Sequence, residues 1–330
     1  MAELRQMKII SIDELENQLG VNKWPRFVSD CETGFLERIS QVAARVLNHR
    51  HIKAVFISGP TASGKTTFCN RLAEFLNNRG RPTRTVSLDD YYVEASWYDD
   101  QGRPDFESIE TLDTQQMVAD FSALLAGDTV RMPTFNFVTR RRVYRENFEI
   151  NLAPDELLLV EGLHGLSGLI AGQLPRERYL GVFIMPWCAL LSDRQLLGSR
   201  DLRILRRISR DVLHRGSTAL STLDYWPMID RTEQHFFPSY LANADEYINS
   251  CLAYEFCVIA PLAASHMLRS LEQYDTGSLP GSIYKRSQQG YADLPAAVAE
   301  ARDLLRACAR IPVADRSIVP PQSILNEFIR

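Results

Sequence analysis

The chain has 330 residues, 45% of them apolar and 24% charged, enough for one large α/β domain with appendages or for two modest domains with a buried core. A net charge of −4 excludes a protein built mainly to coat nucleic acid, although it leaves room for a local basic site. No run of about 18 uncharged apolar residues occurs, and the N-terminus MAELRQMKIISIDELENQLG lacks the apolar stretch of a signal peptide, so neither a membrane span nor export is expected. The six cysteines (Cys31, Cys69, Cys188, Cys251, Cys257 and Cys308) never form a C-x-x-C pair. With the missing signal they predict reduced, mostly buried thiols in a cytoplasmic protein without structural zinc.

Residues 1–50 read as a helical N-terminal extension, because Phe35, Ile39, Val42, Ala43 and Val46 recur at helical spacing and give one packing face. Residues 51–270 form the central domain, and 271–330 a linker and helix that pack on it. The apolar run Ala54–Ser58 is a short strand that enters a glycine-bearing loop. Lys65 to Asn78 is helical, ending near Gly80 with Pro82 beyond. Arg84–Leu88 is a second strand, ending at two aspartates. Asp113 to Leu125 is a helix capped by Asp113 or Thr114 and stopped by Gly127. Glu156–Glu161 and Tyr179–Ile184 are continuous apolar runs, as expected of parallel strands buried on both faces. Strands alternating with helices predict a parallel α/β sheet with its ligand site at the carboxyl ends of the strands. Residues 271–295, rich in Gly, Ser, Gln, Tyr and Pro, read as a mobile connection before a last helix from about Leu294 to Cys308.

Gly59-Pro60-Thr61-Ala62-Ser63-Gly64-Lys65-Thr66 fits the phosphate-loop pattern G-x-x-x-x-G-K-S/T without a mismatch. Its glycines let backbone N–H groups converge on phosphate oxygens, and the helix that follows adds the positive end of its dipole. A glycine turn that binds nothing is the plainer alternative, but a match placed between a strand and a helix favours nucleotide binding. Gly59, Thr61, Ala62, Ser63, Gly64, Lys65, Thr66 and Thr67 are the nucleotide-binding candidates. Lys65 is expected to reach the outer phosphates, and the Thr66 hydroxyl to ligate Mg²⁺.

Asp89 and Asp90 follow the second strand and should project from the same sheet edge. One can accept the proton of an attacking hydroxyl, and the other can cap the next turn. Glu161 ends the most apolar strand, where a charge is costly unless paired, and Mg²⁺ or its water shell would serve. Thr66 and Glu161 are therefore the metal candidates. His164 reads as a hydrogen-bonded loop residue rather than a catalyst.

Asp201 to Gly216 is a helix in which Arg203, Arg207, Arg210 and His214 share a stripe opposite Leu205, Ile208 and Val212, and Gly216 is its stop. A solvated face with local Asp pairs is the bland reading. The excess of arginine over acidic neighbours favours phosphate contacts, as in a lid that closes over ATP. An RNA-binding stripe would be interleaved with stacking aromatics, and this one is not.

Together these pieces resemble the uridine kinase/phosphoribulokinase family over roughly residues 53–260. The likeness rests on GPTASGKTTF, SLDDYY, the PTFNF stretch at 133–137, LLLVEGLHGL and RRISRDVLHRG at 206–216. SILNEFIR and the segment 106–113 are similar to the bacterial uridine kinase-like branch, which often carries a TGS domain; residues 1–50 are too short to hold one. The resemblance implies a P-loop NTPase fold with an arginine-bearing lid helix, ATP and Mg²⁺ as cofactors, and transfer of a phosphoryl group to a hydroxyl, first of all on a nucleoside. It puts the general base at Asp89, with Lys65, Glu161, Arg207 and Arg210 as its catalytic companions and Arg215 on the nucleotide. Asp89, Tyr92, Glu107, Phe135, Arg140 and Arg207 would face the acceptor.

Three acceptor positions depart from the family pattern. Glu107 stands where uridine–cytidine kinases hold the ribose with an aspartate. Phe135 and Arg140 stand where they read the base with tyrosine and histidine. Arg140, Arg141 and Arg142 would suit an anionic acceptor such as a sugar phosphate or a carboxylate, or form a solvated basic hairpin; both readings stay open. Phosphoribulokinase-like or pantothenate kinase-like specificity is the enzymatic alternative, and a non-catalytic nucleotide-binding regulator is the other class. Intact Lys65, Asp89 and Glu161 weigh against the regulator. The expected partner is a small-molecule hydroxyl acceptor, with no nucleic acid and no membrane, and a homo-oligomer is left open.

Overall fold

A computed structural model describes residues 7–20, 22–93, 105–136, 139, 141–284 and 290–330, with backbone alone at residues 146 and 147. Strand β1 (Lys8–Ser11) and helix α1 (Ile12–Gln18) precede the long helix α2 (Trp24–Asn48), then β2 (Ala54–Ser58), α3 (Lys65–Asn77) and β3 (Thr83–Ser87). Helix α4 (Thr114–Ala126), the hairpin β4 (Val130–Asn136) and β5 (Arg141–Ile150), and strands β6 (Leu157–Glu161), β7 (Tyr179–Met185), β8 (Cys188–Leu191) and β9 (Gln195–Gly198) follow. The chain continues through α5 (Ser199–His214), α6 (Ala219–Asn243), β10 (Glu246–Asn249), α7 (Phe256–Asp275), α8 (Leu294–Cys308) and the terminal turn α9 (Asn326–Ile329).

The main sheet runs β10–β7–β2–β6–β3 with every neighbouring pair parallel, the α/β arrangement expected from the apolar runs. β2 lies at its centre and all five of its residues are buried. Side chains alternate between two cores, as the two-residue period of a strand requires. Val55, Ile57, Leu159, Val182 and Ile184 face a core closed by α2, α3, α5 and α7. Ala54, Phe56, Leu158, Val160 and Phe183 face a second core closed by α4, the β4–β5 hairpin and the end of α6. Register then does the functional work. Ile57 pairs with Glu161, and Glu161 with Ser87, so three strands end at one level and their exit loops open side by side.

Local chemistry explains the element ends. Asp113 caps α4 by accepting from the Gln116 N–H, and Gly127 closes that helix in the left-handed region at φ 93°. Two segments depart from the sequence reading. Residues 8–11 are a strand rather than part of a helix: they pair parallel with β8, and the Ser11 hydroxyl then caps α1 by accepting from the Glu14 N–H. Residues 282–284 are packed rather than loose. Ser282 is buried with its hydroxyl 2.7 Å from that of Ser221, and the Tyr284 ring stacks on Tyr225 at 4.4 Å. Polar composition there signals partners on α6, not freedom. Cys69, Cys188, Cys251, Cys257 and Cys308 are buried free thiols, and Cys31 is half-buried. Among the described residues no helix is long and apolar enough to cross a membrane.

Helix α5 is buried despite its charge, because glutamates from other helices meet it. Arg203 pairs with Glu233 of α6 (Nη1 at 2.8 Å), and Arg206 pairs with Glu255 (Nε at 2.8 Å) with neither side chain exposed. Such a pair is hard to break from one side, since the survivor keeps its desolvation cost. Arg206→Leu should therefore destabilise the protein by about 3–5 kcal/mol. A urea unfolding curve with a lower midpoint and unchanged slope is expected, and an unchanged midpoint would show that the pair holds nothing.

Candidate active site

The loop after β2 is shaped by three backbone requirements. A Cβ on Gly59 would lie 2.1 Å from the Ile184 carbonyl oxygen, so only glycine fits beside β7. Gly64 has φ 87° and is the N-cap of α3. Between them Ala62 sits at φ 57°, a left-handed conformation that an alanine adopts only under constraint.

That constraint comes from α5. Arg203 Nε donates to the Thr61 carbonyl at 2.9 Å, Arg206 Nη1 to the Ala62 carbonyl at 3.2 Å, and Arg207 Nη1 to the Thr61 hydroxyl at 2.8 Å. Lys65 reaches back to the Pro60 carbonyl at 2.9 Å. The first intrahelical bond of α3 runs from the Phe68 N–H to Gly64, so the first-turn N–H groups of Lys65, Thr66 and Thr67 need an acceptor from outside the helix. The Ser63 hydroxyl is buried without a partner. A strained loop with an orphan hydroxyl, unsatisfied first-turn N–H groups and a half-buried lysine fits a polyphosphate.

The neighbouring strand ends supply the carboxylates. Asp89 lies in the turn Leu88–Tyr91 after β3, where the Ser87 hydroxyl accepts from its N–H, and Glu161 ends β6 with an oxygen 3.0 Å from the same hydroxyl. Burial raises the Asp89 carboxyl, Lys65 opposes that rise, and Glu107 adds to it. Glu161 is pushed up to about 7, by burial first and then by the charge of Asp89, with Lys65 opposing. Burial lowers Lys65 itself, against the pull of Glu161 and Asp89. A site that crowds carboxylates around one lysine favours a cation. Thr66 and Glu161 can supply two oxygen ligands, the few-ligand mode in which Mg²⁺ is held together with phosphates. Asp90 is not the cap expected of the pair, since Ser87 caps this turn; it accepts from the Phe135 N–H at 3.1 Å and ties the β4–β5 hairpin to the turn.

These residues line a cavity of about 850 Å³ with Tyr92, Phe106, Glu107, Phe135, His164, Arg207, Arg210, Arg215, Tyr284 and Glu327 on its other walls. Most residues singled out in the sequence thus converge. Arg140 lies outside the described residues, and Arg142 is turned to Asp113, both Nη atoms at 3.0 Å. Arg207 is buried and bound on several sides: Glu107 at 3.1 Å, Asp211 at 3.2 Å and the Tyr284 hydroxyl at 3.4 Å. Arg210 and Arg215 share Asp211 but stay on the cavity wall. The arginines between 203 and 215 are divided accordingly, with Arg203, Arg206 and Arg207 holding the loop and Arg210 and Arg215 on the cavity wall. Tyr284 and Glu327 escape sequence reading because nothing local marks them; a tyrosine in a polar linker and a glutamate in a terminal turn carry no periodic signal.

A strand, phosphate loop and helix flanked by carboxylates at adjacent strand ends define a P-loop nucleotide-binding protein. Residues 54–175 match the Phosphoribulokinase / Uridine kinase family. It is similar to the uridine kinase of Halobacterium salinarum, 25% identical over 196 residues that cover 58% of this chain and 77% of that protein. It is also similar to the uridine kinase of Chloroflexus aggregans, 29% identical over 175 residues, 52% of this chain and 73% of the relative. Among solved structures, that of a possible uridine kinase from Bacillus stearothermophilus superposes with a TM-score of 0.44 at 18% identity, over 64% of this chain and 97% of the other.

His164 is the hydrogen-bonded loop residue that its position suggested. Its Nε2 lies 2.9 Å from the Glu107 carbonyl and its Nδ1 2.8 Å from the Tyr240 hydroxyl. A carbonyl only accepts, so Nε2 carries the proton and Nδ1 accepts from tyrosine. Burial lowers its pKa to about 4. The unfolded chain then binds more protons than the fold between pH 4 and the ordinary histidine value, so stability is full above that value and falls as pH drops. From this group alone the loss between about pH 7 and 5 should be about 2 kcal/mol. Chemical denaturation of wild type and His164→Gln at both pH values should show a flatter dependence in the variant, and parallel curves would remove His164 as the source.

Proposed function

We propose that the protein is an ATP-dependent kinase that transfers the γ-phosphoryl group to a hydroxyl of a small, uncharged acceptor, with a nucleoside the foremost candidate. The observation that carries this reading is the convergence of Lys65, Asp89 and Glu161 from three neighbouring strand or loop ends on one cavity. Lys65 and the first turn of α3 bind the triphosphate. Thr66 and Glu161 would hold Mg²⁺, which when bound would neutralise phosphate charge during transfer. Asp89 accepts the hydroxyl proton as the acceptor oxygen bonds to the γ-phosphorus. The bond from that phosphorus to the β–γ bridging oxygen breaks, and ADP leaves. Arg210 and Arg215 on the cavity wall offset the charge that spreads over the transferred group.

An uncharged acceptor is supported by two cations on this side among the described residues: Arg207 is balanced by Glu107 and Asp211, and Arg142 by Asp113. Tyr92 and Phe135, ring centroids 5.5 Å apart, offer aromatic surface to a base or sugar, while Glu107 offers a hydroxyl acceptor. Relatives named uridine kinase support the same choice.

The test is ADP release with uridine, cytidine and adenosine against sugar phosphates and pantothenate. Stimulation by a nucleoside is expected. Stimulation by the anions alone would remove the uncharged acceptor, and ATP binding with no stimulation by any of them would remove the enzyme. Asp89→Asn should leave ATP affinity within about twofold and reduce kcat by about 10²–10⁴; a variant of equal activity would take the base role from Asp89. Lys65→Ala should weaken both ATP binding and kcat, because that charge meets phosphate in the ground and transition states.

A further inference from the structure

The end of the chain is built into the wall of the phosphate site. Ile324 packs so tightly on Gly64 that a Cβ there would lie 2.1 Å from Ile324 Cδ1. The Phe328 ring lies 4.9 Å from the guanidinium of Arg206, the same group that holds the Ala62 carbonyl. Leu325, Phe328 and Ile329 are buried, and Ser323 Oγ is 3.3 Å from the Tyr254 hydroxyl. This anchoring presents one polar side chain to the cavity: Glu327, whose Oε2 accepts from the Thr67 hydroxyl at 3.0 Å.

A carboxylate beside a phosphate loop is an unfavourable neighbour for phosphate, and here it already acts on Lys65 and Glu161. Its placement makes chemical sense if the atoms nearest to it are hydroxyls. Asp89, Glu161 and Thr66 mark the end of the site where the phosphoryl group is transferred. Thr67 lies one residue further along α3, about 100° around the helix, on the side that the terminal turn covers. If the γ end of a triphosphate were at Asp89, its other end would leave along the first turn of α3, where Thr67 donates to Glu327 at the cavity wall. A carboxylate can accept from vicinal ribose hydroxyls, the contact that an acidic residue makes in dinucleotide-binding sites. We infer that Glu327 recognises the ribose of the donor nucleotide, as a specificity residue supplied by the last turn of the chain. The inference rests on the kinase reading above.

Titration calorimetry with Mg²⁺ and no acceptor tests it, using ATP, 2′-deoxy-ATP and 2′,3′-dideoxy-ATP on wild type, Glu327→Gln and Glu327→Ala. Wild type should bind ATP at least about tenfold tighter than the dideoxy analogue, the scale of hydrogen bonds to a charged group. Both variants should lose most of that ratio, with dideoxy-ATP affinity unchanged or improved. Equal change for ATP and the dideoxy analogue would overturn the inference and make Glu327 an electrostatic brake. So would a wild type that binds all three alike, and that outcome needs no folded variant. Binding of none of them by wild type would overturn the kinase reading as well, which separates the two failures.

Discussion

A phosphate loop has to turn its N–H groups toward a ligand, and its carbonyls then need partners on the outside. Here those partners are the guanidinium groups of Arg203 and Arg206, which take the carbonyls of Thr61 and Ala62 from the far side of the loop. Two buried cations would be prohibitively costly alone, and Glu233 and Glu255 meet them with short paired contacts. The positive φ of Ala62 persists because this grip over-determines it. An arginine-rich helix, a strained loop and two distant glutamates are thus one unit. This also explains why α5 sits in the core although its sequence resembles a solvated surface.

The same unit sets the electrostatics of the cavity. With Arg203, Arg206 and Arg207 matched to acids, Lys65 faces Asp89, Glu161 and Glu107, all of which act on it. Burial first, and then their mutual repulsion, holds the Asp89 and Glu161 carboxyls above their ordinary values, with Glu161 at about 7. The excess of acid lies at the strand ends, where a divalent cation and a proton-accepting base are both of use. His164 stays out of this balance. It is held neutral by burial, and from the loop after β6 it holds the backbone carbonyl of Glu107.

The parts legible in the sequence are those whose cause is local. Glycine spacing at 59 and 64, the apolar runs of β2, β6 and β7, and the Asp113 and Gly127 caps each report a backbone requirement within a few residues. Strand ends followed from them, and so did the meeting of Lys65, Asp89 and Glu161. The parts that stayed hidden have remote causes. Helical periodicity places Arg203 and Arg207 on one stripe, but the partner of Arg203 is 30 residues away and that of Arg206 is 49 away. Residues 8–11 become a strand because β8 offers an edge, and Tyr284 is ordered because Tyr225 offers a ring. Neither partner can be inferred from the segment that uses it.

The cavity has two sides of different origin, and Arg207 joins them. The phosphate side comes from the loop, α3 and the end of the chain. The opposite side comes from the segment at Phe106 and Glu107, the hairpin residue Phe135, and Tyr284. Arg207 donates to the Thr61 hydroxyl on the first side, and on the second it meets Glu107 and the Tyr284 hydroxyl. A hydroxyl that donates to Glu107, or a molecule that displaces Tyr284, changes what Arg207 has left to hold, and Arg207 holds the phosphate loop. Glu107 reaches the buried Arg207 at 3.1 Å, so a carboxylate on the far wall of the cavity also balances the charge beside the phosphate loop.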